Sequence, residues 1–67
     1  MIVKSMTELS DFEKRNIQRI ASESKCINES LRATFGAGFH RYDERNDTAY
    51  FGAHSYDYTY EIIPVVK

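Results

Sequence analysis

A single cysteine, Cys26, stands in a chain of 67 residues. It cannot close an internal disulfide, and secreted domains of this size usually depend on several bridges, so an intracellular, cytoplasmic protein is expected. Long apolar runs are missing as well. The opening MIVKSMTELS has no signal-peptide core, and no stretch approaches the roughly 20 residues of a membrane helix, so no membrane association is expected. Nor is there a surplus of charge. Nine Lys and Arg against ten Asp and Glu leave a net charge of −1, which withholds both the basic balance of a counterion-releasing nucleic-acid binder and the acidic balance of a nucleic-acid mimic. With one proline and three glycines the chain has no linker, repeat or low-complexity run, and its 42% apolar and 28% charged residues are those of a folded domain.

What is there fits one small domain over residues 1–67, expected to be α+β. A chain this short buries only about 60% of its unfolded surface and has room for one helical layer on one small sheet. Two periodicities meet at FGAG, residues 35–38. Before it, Leu9, Phe12, Ile17, Ile20, Ile27, Leu31 and Phe35 recur with the helical period and predict an amphipathic N-terminal helix. Ser10 and Glu13 in SDFE read as a capping box that starts it. ASESK, residues 21–25, weakens it, because serines compete for backbone hydrogen bonds, and a bend or break near residues 22–25 is expected. Gly36 tolerates positive φ and ends it.

After Gly38 the period becomes two. FHRYDE, TAYFGAHS and YDYTYEII predict a three-stranded antiparallel meander, with Ile2 and Val3 in MIVKSM as a candidate fourth strand. A three-residue turn of Arg45, Asn46 and Asp47 sets Glu44 against Thr48, Tyr42 against Tyr50 and His40 against Gly52. Phe39, Ala49, Phe51 and Ala53 then share the apolar face, and Tyr42, Tyr50, His40 and His54 the polar one. Arg41 and Asp43 fall on the apolar parity, which strains this register; a two-residue turn, with Tyr42 across from Phe51, is the alternative.

All five tyrosines lie in this half, in company with Asp43, Glu44, Asp47, Asp57 and Glu61. In HSYDYTYEII, residues 54–63, rings alternate with polar residues, and one helix cannot bury them all with their hydroxyls paired. Tyr60 and Ile62 are read as core. Tyr42, Tyr50, Tyr56 and Tyr58 are the candidate anchors of a protein contact surface, surrounded by Asp43, Glu44, Asp47 and Asp57, since rigid rings dominate interface energies and carboxylates steer a basic partner.

No catalytic or metal-binding spacing accompanies them. His40, His54 and Glu44 form the only constellation with acid–base or zinc chemistry in reach, and paired surface histidines are the simpler reading. FGAGF follows a helix and leads into a strand, the reverse of a phosphate-cradling loop. No cofactor is expected. Cys26, off the apolar stripe, reads as a surface thiol. Elimination leaves a small non-enzymatic module that regulates or inhibits a larger intracellular protein through an acidic, tyrosine-rich sheet surface, a class common among virus- and mobile-element-encoded proteins. The alternatives are nucleic-acid binding by the sheet aromatics, disfavoured because most of the bases sit in the helix, and a minimal histidine-dependent hydrolase. Unpaired sheet edges and a thin core also predict a homodimer, through an edge strand or through the tyrosine face.

Overall fold

The computed structural model describes residues 1–65, so the two last residues of the expected 1–67 domain lie outside the described residues. It has an α+β architecture, two helices on a four-stranded sheet. The elements are β1 (Ile2–Ser5), α1 (Asp11–Glu23), α2 (Ile27–Phe35), a short 3-10 turn (Gly36–Gly38), β2 (Phe39–Asp43), β3 (Thr48–Phe51) and β4 (Tyr58–Glu61).

The helical segment breaks where serines were expected to break it. Ser24 adopts an extended backbone, and its hydroxyl accepts from the Cys26 amide at 3.2 Å and bonds the Ser30 hydroxyl, so side-chain bonds replace the next helical turn. At the start of α1 the capping box is formed in both directions, Glu13 N to Ser10 Oγ at 3.1 Å and Ser10 N to Glu13 Oε1 at 3.0 Å. Gly36 ends α2 with φ 59.

Strand order is β2-β3-β1-β4. This corrects the expected meander. β2–β3 and β1–β4 are antiparallel, but β1 inserts between β3 and β4 and runs parallel to β3, pairing Val3 with Ala49 and Ser5 with Phe51. The helical pair and β2 form the long crossover that parallel neighbours require. Val3, fully buried, occupies this central strand.

The hairpin register differs from both expected ones. Asp43 faces Thr48, leaving a four-residue turn of Glu44, Arg45, Asn46 and Asp47, and the ladder slips between Phe39 and Arg41 so that His40 bulges out. Phe39 still faces Phe51 on the helix side. Past the bulge the parity inverts: Arg41 and Asp43 turn to the helix-free face and Tyr42 to the helical side, opposite to Tyr50. The bulge thus resolves the conflict of two charges on an apolar parity. Asp43 fixes the turn by accepting from the Arg45 amide at 3.0 Å and the Asn46 side chain at 2.9 Å.

Leu9, Ile17, Ile20, Leu31, Phe51 and Ile62 are buried as expected, joined by Val3, Phe39 and Ala49, with Ile27, Phe35, Tyr42 and Tyr60 half-buried against them. Phe12 is the exception, 73% exposed. It stands five positions before Ile17, about 140° away on the helical wheel, so it cannot share that residue's face. Ala53, expected on the apolar face, lies beyond β3 and is exposed.

Candidate functional site

Helices cover one face of the sheet only. Burial of Val3, Ser5, Ala49 and Phe51 fixes that face, and the pleat sends their neighbours the other way: Lys4 from β1, Arg41 and Asp43 from β2, Tyr50 from β3, Thr59 and Glu61 from β4. These six strand residues thus give the helix-free face two cations, two carboxylates and the Tyr50 ring. Tyr50 is half-buried there. The Arg41 guanidinium lies 4.6 Å from its ring centroid, and the Tyr56 ring lies 5.2 Å away, tilted by 58°.

Tyr56 reaches this place because it does not belong to a strand. β3 ends at Phe51, and residues 52–57 cross the end of β1 with positive φ at Gly52 (103) and Ser55 (61). Those two left-handed residues break the period-two parity that the sequence suggests, and the Tyr56 hydroxyl donates to Gly52 O at 2.9 Å to close the loop. Tyr50 and Tyr56 are therefore one preassembled aromatic unit on the open face.

The other tyrosines go elsewhere. Tyr60 faces the helices, its hydroxyl accepting from the Leu9 amide at 3.0 Å with the Lys14 ammonium 5.3 Å from its ring, and it is half-buried core as expected. Tyr58 shares that parity, across from Ser5, but at the strand end it is 41% exposed. Tyr42 leans against the core, and its hydroxyl donates to Asp47 Oδ1. The eight candidate residues consequently form two groups. Tyr42, Asp43, Glu44 and Asp47 make the β2–β3 turn region, where Asp43 and Asp47 are engaged in hairpin hydrogen bonds. Tyr50, Tyr56, Asp57 and Tyr58 gather around the β3–β4 connection, with Asp57 exposed. Arg41, adjacent to the candidate residues but not among them, is the member that sequence reasoning missed, and its conflict with the apolar parity was the signal.

Tyr42 is electrostatically distinct. Burial, the hydrogen bond to Asp47 and the charges of Asp47, Glu44 and Asp43 push its phenol up to about 12 from the ordinary 10.0. A phenol held protonated in the fold contributes stability that is full below the unfolded value near 10 and is lost as pH rises through about 12. Ultraviolet titration of the wild type minus Tyr42→Phe should give a midpoint near 12, and Asp47→Asn should lower that midpoint. A Tyr42 midpoint near 10 would show that the Asp47 bond does not form in solution.

His40 is the exposed bulge residue, and His54 is exposed in the 52–57 loop, so the cross-strand pairing that brought them together in the sequence reading is gone. Among the described residues no three His, Cys, Asp or Glu side chains gather as a metal site. An apolar cleft of about 280 Å³ opens at the ends of β1 and β3, lined by Met6, Leu9, Phe35 and Phe51 among others, which lies below the usual range of ligand pockets. Cys26 is exposed between the two helices. No described helix is long and apolar enough to cross a membrane. No family model, curated protein or solved structure matches this chain.

Proposed function

We propose that this chain is a non-enzymatic binding module of the cytoplasm that regulates or inhibits a larger protein by docking the helix-free face of its sheet. One observation carries the reading: Tyr50, held between Arg41 and Tyr56 on an otherwise uncovered face. A ring already fixed by two neighbours loses little side-chain entropy on binding, which is what lets aromatic anchors dominate interface energies. Asp57 extends the surface at the loop, whereas Tyr58 lies on the helical side and is no part of it, and Glu44 with Asp57 supplies exposed carboxylates for steering a basic partner.

The test begins with co-purification and mass spectrometry, followed by titration of the recovered partner. Tyr50→Ala should weaken binding by about 2 kcal/mol or more, with the cooperative melt retained. Equal affinity for wild type and Tyr50→Ala would sink the proposal. A second reading has support from the same face. Arg41 and Lys4 flank Tyr50 there, which places bases beside an aromatic as single-stranded nucleic acid requires. Oligonucleotide binding that falls steeply with salt and is lost in Arg41→Ala would favour that reading over a protein partner.

A further inference from the structure

The two edges of the sheet are built differently. At β2 the bulge at His40 interrupts the ladder, and the Arg32 guanidinium donates to the His40 carbonyl at 3.3 Å. Bulges and covering charges of this kind prevent edge-to-edge pairing. β4 has neither. It is a straight four-residue strand with Tyr58, Thr59 and Glu61 exposed. Of the five exposed large apolar side chains among the described residues, Tyr58, Ile63 and Val65 lie on it or just beyond it.

The hydrogen-bonding parity of that edge can be derived. Met1 and Ile62 exchange both backbone hydrogen bonds, each 2.7 Å. Bonded pairs alternate along an antiparallel ladder, so Val3–Tyr60 and Ser5–Tyr58 are the next bonded pairs. Thr59 and Glu61 therefore point their N–H and C=O groups away from β1, toward solvent.

We infer that β4 pairs with β4 of a second copy, antiparallel about a two-fold axis at Tyr60, to give one continuous eight-stranded sheet. A two-fold axis admits only registers that match outward groups with outward groups. Centring on Glu61 sets carboxylate against carboxylate. Centring on Thr59 sets Asp57 against Glu61 of the other copy, again like charges, and the Asp57 amide is already engaged with Ser55 O at 2.9 Å. Centring on Tyr60 sets Thr59 against Glu61 twice, with no charge repulsion between directly opposed residues and with all four outward backbone groups of those two residues matched in each copy. It also sets Tyr58 opposite Ile62 of the other copy, covering the exposed ring. Lys14 comes near the axis already neutralised by Asp11 at 3.3 Å. Of these three registers, the one centred on Tyr60 alone keeps like charges out of directly opposed positions, and it is self-complementary between two copies. The inference does not depend on what the helix-free face binds.

Sedimentation equilibrium should show a dimer at micromolar concentrations. Thr59→Pro removes one outward N–H and leaves the β1–β4 bonds intact, since proline is tolerated where a strand's N–H faces solvent; it should raise the dimer Kd about tenfold or more with an unchanged far-ultraviolet spectrum. In a Cys26→Ser background, Thr59→Cys combined with Glu61→Cys should oxidise to a disulfide-linked dimer, whereas either single cysteine should not, because only opposed residues come within bonding distance. A wild type that stays monomeric at high micromolar concentration overturns the inference, as does a dimer unaffected by a folded Thr59→Pro. Should Thr59→Pro fail to fold, the cross-link decides: its absence in the double variant overturns the proposed pairing.

Discussion

Ile17→Asp is expected to leave the chain without a cooperative unfolding transition at any temperature. Ile17 is fully buried on the inner face of α1, within a core that includes Val3, Leu9, Ile20, Leu31, Phe51 and Ile62. Truncating such a side chain typically costs about 2–5 kcal/mol, before any penalty for a carboxylate put in its place. Moving that carboxylate out of water without a partner costs several kcal/mol more. At roughly 0.05–0.15 kcal/mol per residue, a domain of this length has about 3–10 kcal/mol to lose, so the sum exceeds most of the range. Phe12→Asp is the control. It lies on the same helix, but at 73% exposure its replacement should change stability by about 0.5 kcal/mol or less. Circular-dichroism melts of the two variants check the pair, and similar melting of both would contradict the assigned buried face of α1.

That contrast also marks what a linear pattern can reveal. Ser10 and Glu13 signalled their cap because every partner lies within four residues. Ser24 signalled the break between α1 and α2 for a similar reason, its partners Cys26 and Ser30 lying two and six residues on. The inner face of α1 was legible in Ile17 and Ile20, whereas Phe12 was misplaced by being grouped with them on hydrophobicity alone rather than on its angle. Strand existence was legible in the alternation of apolar residues, but strand order was not. β1 finds β3 across more than forty residues of chain, and no local feature of IVKS specifies a central position or a parallel neighbour. Only the total burial of Val3 between β3 and β4 makes that position favourable, and burial belongs to the assembled sheet.

The aromatic surface was half legible. The tyrosines stood out because one helix has no room for them all, and Tyr50 and Tyr56 do lie on the open face while Tyr60 packs under the helices. Their grouping was not readable, since two departures from regular pairing decide it. The His40 bulge sends Tyr42 to the helical side and Arg41 to the open one, and positive φ at Gly52 and Ser55 carries Tyr56 out of strand parity onto Tyr50. Charged residues on an apolar parity, Arg41 and Asp43, were the trace that the bulge left in the sequence. Ser55 left none, because serine does not advertise a left-handed backbone as glycine does.

Gly52→Ala should therefore be the most damaging single-methyl change in the molecule, lowering stability by roughly 3 kcal/mol. Two costs combine there. The backbone has φ 103, which a side chain strains, and a Cβ would fall 2.5 Å from Met6 Cγ and Sδ and 2.9 Å from Met6 Cβ. Met6 cannot swing away freely, because its amide donates to Phe51 O at 3.0 Å and its sulfur accepts from the Ala53 amide at 3.1 Å. For a domain this small the loss should lower Tm by roughly 12–24 °C. Gly36→Ala separates the two costs. It has φ 59 but nothing within 4 Å of the added methyl, so it should lose the backbone part alone, about 1–3 kcal/mol. Adding Met6→Ala to Gly52→Ala should recover the steric part owed to Cγ and Sδ relative to Met6→Ala alone, leaving the backbone part and the 2.9 Å contact with Cβ, and a double-mutant cycle reads the recovered part. Because Gly52 also donates to Gly38 O and accepts the Tyr56 hydroxyl, the variant should loosen Tyr56 from Tyr50 and weaken the near-ultraviolet tyrosine signal. A Gly52→Ala protein that melts with the wild type and keeps that signal would mean that the 52–57 loop takes another path, and with it would fall the aromatic pair on which the proposed binding face rests.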